Sequence, residues 1–279
     1  MSGRPRSNSF AELSKLGAFL RRDVLVRLSY RTAILSDWFN LFAQAFVFSF
    51  VSKLVDPSRL PTARGDRTSY IAFVAVGIAV SGFMAVGLAR LVAAVRQEQL
   101  MGTLESVMVT PTTAITILLG SVIYDMIYVP IRTVIFLVIV SIWFNVSFAA
   151  SGYLPALIVL VAFIPFVWGI GSIASASVLT FRRGSGVIGF GTFALTFTSG
   201  AYFPLGLFPH WVETLASLNP IAVAITGMRE QLLGGAGWAD AAGVLAKLVP
   251  MSAVSLLLGL YAFRLAMRRE RRLGTLGLY

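Results

Sequence analysis

The chain has 279 residues, of which 57% are hydrophobic and 13% charged, and its formal net charge is +11 at pH 7. Soluble domains contain roughly 45–50% apolar and about 25% charged residues, so this composition excludes a water-soluble fold. The lack of cysteine and the single histidine exclude disulfides, thiolate metal sites and multi-histidine metal clusters within one chain.

The first element along the chain is basic and amphipathic. Apolar residues recur at spacings of three and four between Phe10 and Arg31. This pattern predicts an amphipathic helix over 10–31 that lies in the headgroup layer of a membrane. No compact apolar core with a small-residue cleavage site is present, so we expect no removable signal peptide. The helix is either a simple topology anchor or a working part of the protein, and both interpretations stay open.

Six apolar segments follow, each long enough to cross a bilayer, whose core requires about 17–25 residues per helix. Continuous runs predict helices, because a membrane barrel would show about ten-residue stretches of alternating hydrophobicity. We therefore predict an all-α integral membrane protein, with residues 1–279 forming a single transmembrane domain. The predicted transmembrane helices cover 33–55, 70–91, 113–144, 153–181, 187–203 and 241–263.

Basic residues are concentrated at both ends of the chain, with seven before the first predicted span and five after the last. The connectors assigned to the same side also carry them, as Arg90, Arg96, Arg182 and Arg183. Because lysine and arginine accumulate in cytoplasmic segments, we predict cytoplasmic N- and C-termini in a plasma or inner membrane. These charges lie at span ends without interleaved exposed aromatic residues, so we expect no nucleic-acid partner.

A polar segment, residues 96–111, interrupts the apolar sequence between the second and third predicted spans. Glu98, Gly102 and Glu105 recur at spacings of four and three, and neighbouring leucines supply an apolar edge. The pattern predicts a short cytoplasmic helix over 97–110, with one face toward the membrane domain and the other toward a cytoplasmic partner. An ordinary connecting loop is the alternative.

Several polar residues fall inside predicted spans, where ionisable groups are costly and often functional. Asp37, Asn40 and Gln44 form a stripe at helical spacing, which we assign to a dimer seam in preference to a conduit. Asp125 and Arg132 are seven residues apart, or about 10.5 Å along a regular helix. We therefore expect both to find partners on other helices or to line a substrate path.

Residues 204–236 are too polar to cross a membrane and too apolar for a solvated loop. Irregular backbone at membrane depth requires burial in protein or a cavity, which predicts an extracellular re-entrant hairpin that acts as a gate. An interfacial belt of aromatic residues is the alternative. The predicted gate residues are Phe203, Pro204, Phe208, Pro209, Trp211, Asn219 and Pro220.

Two groups of residues resemble one family, the ATP-binding-cassette (ABC) type-2 exporter permeases. The string GTLE at 102–105 and the Thr110-Pro111 pair resemble the coupling helix of those permeases. The second group resembles their extracellular re-entrant hairpin and the entry to their last span. It consists of SGAYFP at 199–204, Phe208-Pro209, Trp211, Asn219-Pro220 and Arg229.

This resemblance implies a permease subunit that is not an enzyme by itself. It implies that this chain binds no cofactor, that two separate ATPase subunits bind ATP and Mg²⁺, and that a second identical or related permease and membrane lipid are the other partners. The chain also has no Gly-Lys pair, which a phosphate-binding P-loop requires. The residues expected to engage the ATPase are Glu98, Gly102, Thr103, Leu104, Glu105, Thr110 and Pro111.

The resemblance leads us to expect export of an amphiphilic, lipid-like or lipid-linked substrate out of the cytoplasm. A secondary transporter or channel is the alternative, with Asp125 and Arg132 as a proton or ion relay. A scaffold within a membrane complex is a third class. The sequence does not choose among a lipid, an amphiphilic drug and a lipid-linked glycan as cargo.

Overall fold

A computed structural model describes residues 9–53, 70–100, 120, 123–181 and 185–273. Within these ranges the chain is helical and contains no β-strand. Short 3₁₀ turns lie at Ala150–Gly152 and Leu205–Leu207. The α-helices are α1 (Ser9–Ser29), α2 (Arg31–Val51), α3 (Tyr70–Leu100), α4 (Ile123–Trp143), α5 (Tyr153–Phe181), α6 (Ser185–Phe197), α7 (His210–Ser217), α8 (Pro220–Leu232) and α9 (Trp238–Leu273).

Five helices in the described ranges, α2, α3, α4, α5 and α9, are long and apolar enough to cross a membrane. They correspond to five of the six predicted spans and confirm an all-helical, multi-pass protein. The predicted span 187–203 corresponds to α6, which has only 13 residues. At 1.5 Å per residue it is about 20 Å long, against about 30 Å for the bilayer core. The six-span count is therefore not confirmed.

Helix α3 forms the centre of the bundle. In its membrane-length window 78% of the residues are buried, whereas the corresponding fraction for α2 is 11%. Helices α2, α4, α5 and α8 all pack against α3. A helix that is apolar on all sides gains most by being enclosed, which explains why α3, whose residues 70–89 include no charged side chain, occupies this position.

The most extensive helix contact joins α5 to α9. A side-chain carbon at Gly169 would overlap the backbone of Ser255, and one at Gly259 would overlap the backbone of Gly169. Ser255 also donates a hydrogen bond of 3.2 Å to the carbonyl oxygen of Phe166. Small residues thus let the two backbones approach closely, as is common for helices packed in a membrane.

Helix α3 extends beyond the predicted span and ends at Leu100, so Arg90 and Arg96 lie on this helix and not in a connector. Residues 97–100 of the predicted coupling helix are its last turn. The rest of that prediction, residues 101–110, lies outside the described residues, as do 113–119 of the third predicted span. Helix α1 covers most of 10–31, and its location in the membrane interface remains a prediction.

Candidate functional site

The segment between α6 and α9 folds back on itself as two short helices, α7 and α8, which we call the hairpin. Pro209 precedes α7, and Asn219 caps α8 while Pro220 occupies its first turn. The side-chain oxygen of Asn219 accepts a hydrogen bond of 2.9 Å from the backbone N–H of Ile221. This cap satisfies one of the free N–H groups at the helix start, and proline costs nothing at that position.

Asn219 also connects the hairpin to α6. Its side-chain nitrogen donates to the carbonyl oxygen of Leu195 at 2.7 Å and to the hydroxyl of Thr198 at 3.0 Å. These atoms belong to the end of α6 and the turn after it, where backbone carbonyls have no partner within the helix. Asn219 is only 4% exposed, so it fixes the α6 end inside the protein.

Arg229 of α8 holds the chain just beyond that turn. Its two terminal nitrogens donate to the carbonyl oxygens of Gly200 at 2.9 Å and Ala201 at 2.8 Å. Its Nε donates to the carbonyl oxygen of Phe73 on α3 at 3.1 Å. One guanidinium therefore joins three elements: the hairpin, the segment after α6 and the central helix. We call these contacts the Arg229 clamp.

Aromatic residues complete the surroundings of this clamp. The guanidinium carbon lies 3.4 Å from the centroid of the Phe73 ring, which is a close cation–π contact. The hydroxyl of Tyr70 donates to the carbonyl oxygen of Tyr202 at 3.0 Å. Burial lowers the pKa of Arg229 to about 9. Since this pKa is still above neutral pH, the guanidinium of Arg229 is protonated and donates these hydrogen bonds as a cation.

A close backbone contact lies beside the clamp. A side-chain carbon at Gly77 of α3 would overlap the backbone of Ala201. Gly200 has φ of +68°, a conformation that side-chain-bearing residues rarely adopt. The clamped segment therefore requires glycine both on α3 and at its own turn.

The predicted gate residues divide into two groups. Pro204, Asn219 and Pro220 are buried, whereas Pro209, Phe203 (51% exposed) and Trp211 (66% exposed) lie at the surface. Phe208 is partly buried and packs edge-on against Phe197, with ring centroids 5.3 Å apart. Helix α8 thus supplies most of the buried residues of the hairpin, and the aromatic rings of Phe203 and Trp211 lie at the surface. That the segment acts as a gate remains a prediction.

A cavity of about 550 Å³ lies between the hairpin and α9. Glu213, Glu230, Asp240 and Lys247 line its polar wall. Burial, with a further contribution from Asp240, raises the pKa of Glu230, and Lys247 acts in the opposite direction. Among the described residues, no group of three or more histidine or acidic side chains is placed to hold a metal ion.

A second polar site lies toward the opposite end of the bundle. Arg90 of α3 is 3.6 Å from a carboxylate oxygen of Asp37 on α2 and 3.8 Å from one of Asp125 on α4. Asp125 thus has a partner on another helix. Arg132, only 2% exposed, has no carboxylate within salt-bridge distance among the described residues. We call Asp37, Arg90, Asp125 and Arg132 the charge cluster.

The other polar residues of α2 point away from this cluster. Asn40 and Gln44 are exposed on the surface of the single chain. Exposed amides at membrane depth lack hydrogen-bond partners unless another protein surface covers them. Their assignment to a dimer seam remains a prediction.

Most of the predicted ATPase-engaging residues lie outside the described residues: Gly102, Thr103, Leu104, Glu105, Thr110 and Pro111. Glu98 belongs to the last turn of α3. Sequence reasoning assigned no role to Tyr70, Phe73 or Gly77, and it counted Arg90 only as a topology charge. The sequence marked Arg229 in two ways, as part of the family resemblance and as a charged residue after the apolar run that follows Pro220, but neither indicated its partners.

Comparison with known proteins bears on the whole arrangement. No curated protein matches the chain. The sequence profile described as "ABC-2 type transporter" matches residues 14–233, which extend from α1 to the end of the hairpin. Proteins of this family are membrane components of ABC transporters and lack an ATPase of their own. Since the match covers most of its length, this chain belongs to the ABC-2 type transporter family.

Proposed function

We propose that this protein is the membrane subunit of an ATP-driven exporter that moves an amphiphilic, lipid-like or lipid-linked substrate out of the cytoplasm. Two copies, or this chain and a related one, would stand on two separate ATPase subunits that bind ATP and Mg²⁺. Both termini and residues 97–110 would face the cytoplasm, in a plasma or inner membrane. The family match and the basic chain ends support this arrangement.

The observation that carries the proposal is the Arg229 clamp. A hairpin that does not cross the membrane is held against the central helix by one cation on three carbonyl oxygens. A gate at the outer end of a transport path needs a closed state of this kind, with discrete contacts that a movement of α3 can release. The hairpin is therefore proposed as the extracellular gate.

Force would enter at the other end of α3. Residues 97–100 are the last turn of this helix and 101–110 follow them in the sequence, and Glu98 and Glu105 would supply charges for an ATPase surface. Closure of the ATPase pair would press on this segment and shift the permease between inward- and outward-facing states. Gly102 would permit close backbone approach, and Thr103 would cap the helix or hydrogen bond to the ATPase.

A second permease copy would cover the exposed face of α2. That face carries Asn40 and Gln44 beside exposed apolar residues, Leu35 at 67% and Phe39 at 75%. Helix α6 likewise exposes Phe190 at 75%. Amides gain hydrogen-bond partners at a protein interface that lipid tails cannot offer, and aromatic surfaces suit both a seam and an amphiphilic cargo.

The proposal is tested by purifying the tagged chain with its ATPase and reconstituting the complex in lipid vesicles. We expect a permease–ATPase complex whose ATP-dependent translocation of a fluorescent phospholipid stops when the catalytic glutamate of the ATPase is replaced by glutamine. Glu105→Arg should abolish ATPase binding, and Glu105→Gln should weaken it less, because only the first reverses the charge.

Three results would contradict specific parts of the proposal. Translocation that persists without any ATPase would favour the secondary transporter with Asp125 and Arg132. A stable complex with ATP hydrolysis but no lipid movement would refute the lipid-like cargo. Normal ATPase binding and translocation in Glu105→Arg would refute the coupling assignment.

A further inference from the structure

The charge cluster is incompletely paired in this structure. Both distances from Arg90, 3.6 Å to Asp37 and 3.8 Å to Asp125, exceed the 2.7–2.9 Å expected of an optimal charged hydrogen bond. The carboxylate atom Oδ2 of Asp37 is buried and accepts no hydrogen bond from any residue that the structure describes. Arg90 is thus shared between two carboxylates and makes an optimal bond with neither.

Because both carboxylates lie beside Arg90, Arg132 has no carboxylate within salt-bridge distance among the described residues. Its Nε is buried without a hydrogen-bond partner among the described residues. The hydroxyl of Ser81 on α3 is also buried and has no hydrogen-bond partner in the described part of the chain. A buried cation without a partner costs several kcal/mol. Because two guanidiniums and two carboxylates sum to zero charge, the cluster needs no external anion to balance it.

The cluster could be fully paired if Asp37 moved to Arg132. Of the described groups, Asp37 exerts the largest electrostatic attraction on Arg132. A side-chain carbon at Gly82 would lie 3.2 Å from Leu41 and 3.9 Å from a terminal nitrogen of Arg132. Leu41 is one turn beyond Asp37 on α2, so a shift of about 6 Å along the helix would bring Asp37 to the position that Leu41 now occupies. One-turn movements of this size occur between packed helices in switching proteins.

We propose that the charge cluster is a pair-exchange switch, in which Asp37 leaves Arg90 and joins Arg132 when α2 moves along α3. Asp125 stays with Arg90, so the exchange converts one shared cation and one unpaired cation into two separate pairs. This inference rests on the proposed function, because ATP binding and hydrolysis by the partner would drive the movement. The present structure is the state in which Asp37 and Arg90 are paired.

The movement is measurable because the chain contains no cysteine, so introduced cysteines report without background. Leu41→Cys with Gly82→Cys places two thiols at the observed contact and leaves all four charges in place. The pair is cross-linked with a short bis-maleimide in the purified permease–ATPase complex, with and without ATP plus vanadate. Mass spectrometry of the digested chain identifies the cross-link within one subunit.

We expect the cross-link to form without nucleotide and to fall at least about fivefold with ATP plus vanadate, as the populated state changes. The fall should vanish in Asp37→Asn and in Arg132→Gln. It should persist in Arg268→Gln, which removes an arginine charge at an exposed position of α9. An unchanged yield in a complex that hydrolyses ATP, or an equal fall in Asp37→Asn, would overturn the switch and leave the proposed function intact. A complex without ATPase activity would instead refute the proposed function.

A second measurement covers the case in which the cysteine pair does not fold. Asp37→Asn and Arg132→Gln should each lower ATPase turnover by roughly tenfold, and the double variant should be no slower than the slower single one, because both remove the same pair. Arg132→Lys should retain most of the turnover. The proposal would be overturned if the fold-losses of ATPase turnover in the two single variants multiplied in the double variant, or if Arg132→Gln kept wild-type turnover.

Discussion

Replacing Arg229 by methionine tests whether the clamp holds the hairpin closed. The substitution keeps an unbranched side chain of similar length and removes every donor. The carbonyl oxygens of Phe73, Gly200 and Ala201 would lose their guanidinium hydrogen bonds, and the cation–π contact with Phe73 would disappear. All three residues are buried, so water has little access to replace these bonds. The carbonyl of Phe73 keeps its bond within α3, whereas those of Gly200 and Ala201 would remain unsatisfied.

The expected size of the effect follows from these contacts. A hydrogen bond from a charged donor contributes about 1.5–3 kcal/mol, so three of them set an upper limit of about 9 kcal/mol. The cost of desolvating the cation offsets a large part, and losing one partner of a buried charged group costs about 3–5 kcal/mol in measured cases. A loss of about 3 kcal/mol corresponds to a fall in Tm of roughly 6–12 °C. If the loss falls on hairpin opening alone, the open population rises roughly a hundredfold.

Two assays separate global destabilisation from local opening. The Tm of the detergent-solubilised protein reports the first, and maleimide labelling of Ala224→Cys reports the second, because Ala224 of α8 is 0% exposed. Arg268→Met, at an exposed position of α9, is the matched control and should leave both values unchanged. Arg229→Lys should be intermediate, since one ammonium cannot reproduce the guanidinium fork. If Arg229→Met behaves like Arg268→Met in both assays, the clamp does not hold the hairpin.

Three further substitutions probe the same region. Asn219→Ala should lower the free energy of unfolding by about 1–3 kcal/mol, measured by urea titration in detergent, because the helix cap and the bonds to the α6 end are lost together. Gly77→Val should lower the Tm and expose the hairpin to protease, whereas Gly189→Ala, which meets no atom within 4 Å, should be neutral. Glu230→Gln should raise the Tm at pH 7.5 but not at pH 4. The raised pKa of Glu230 means that folding disfavours its ionised form, and near pH 4 the carboxyl is largely protonated in both states; an equal effect at both pH values would contradict this account.

The long helices were predictable because a membrane leaves few choices. Every backbone polar group at membrane depth must be paired within the protein, so an apolar run of sufficient length becomes a helix. The predicted range 153–181 coincides with α5 for this reason. Hydropathy failed at α6, where the apolar run continues to Phe203 but the helix ends at Phe197. Asn219, which is 24 residues away from Leu195, binds a carbonyl at that end, and no local sequence pattern contains this contact.

The candidate sites were harder to predict because their key partners are backbone atoms or distant charges. Arg229 binds three carbonyl oxygens, which every residue possesses and no motif marks. Arg90 appeared at a span end, where a basic residue is adequately explained by membrane orientation. Asp125 pairs with Arg90 of another helix, and no sequence pattern identifies Arg90 as that partner. For Arg132, a partner on another helix or a place on a substrate path both stay predictions.

Helix α3 connects the two sites. Phe73 and Gly77 contact the clamped segment near one end of α3. Arg90, which belongs to the charge cluster, follows Phe73 by 17 residues. That separation is about 25 Å along one helix. Because α3 is enclosed for most of this length, it cannot turn or slide without repacking along its whole surface. A change that loosens Arg90 therefore acts on the same rigid body that carries the carbonyl of Phe73, and the clamp and the charge cluster are two contacts of one helix.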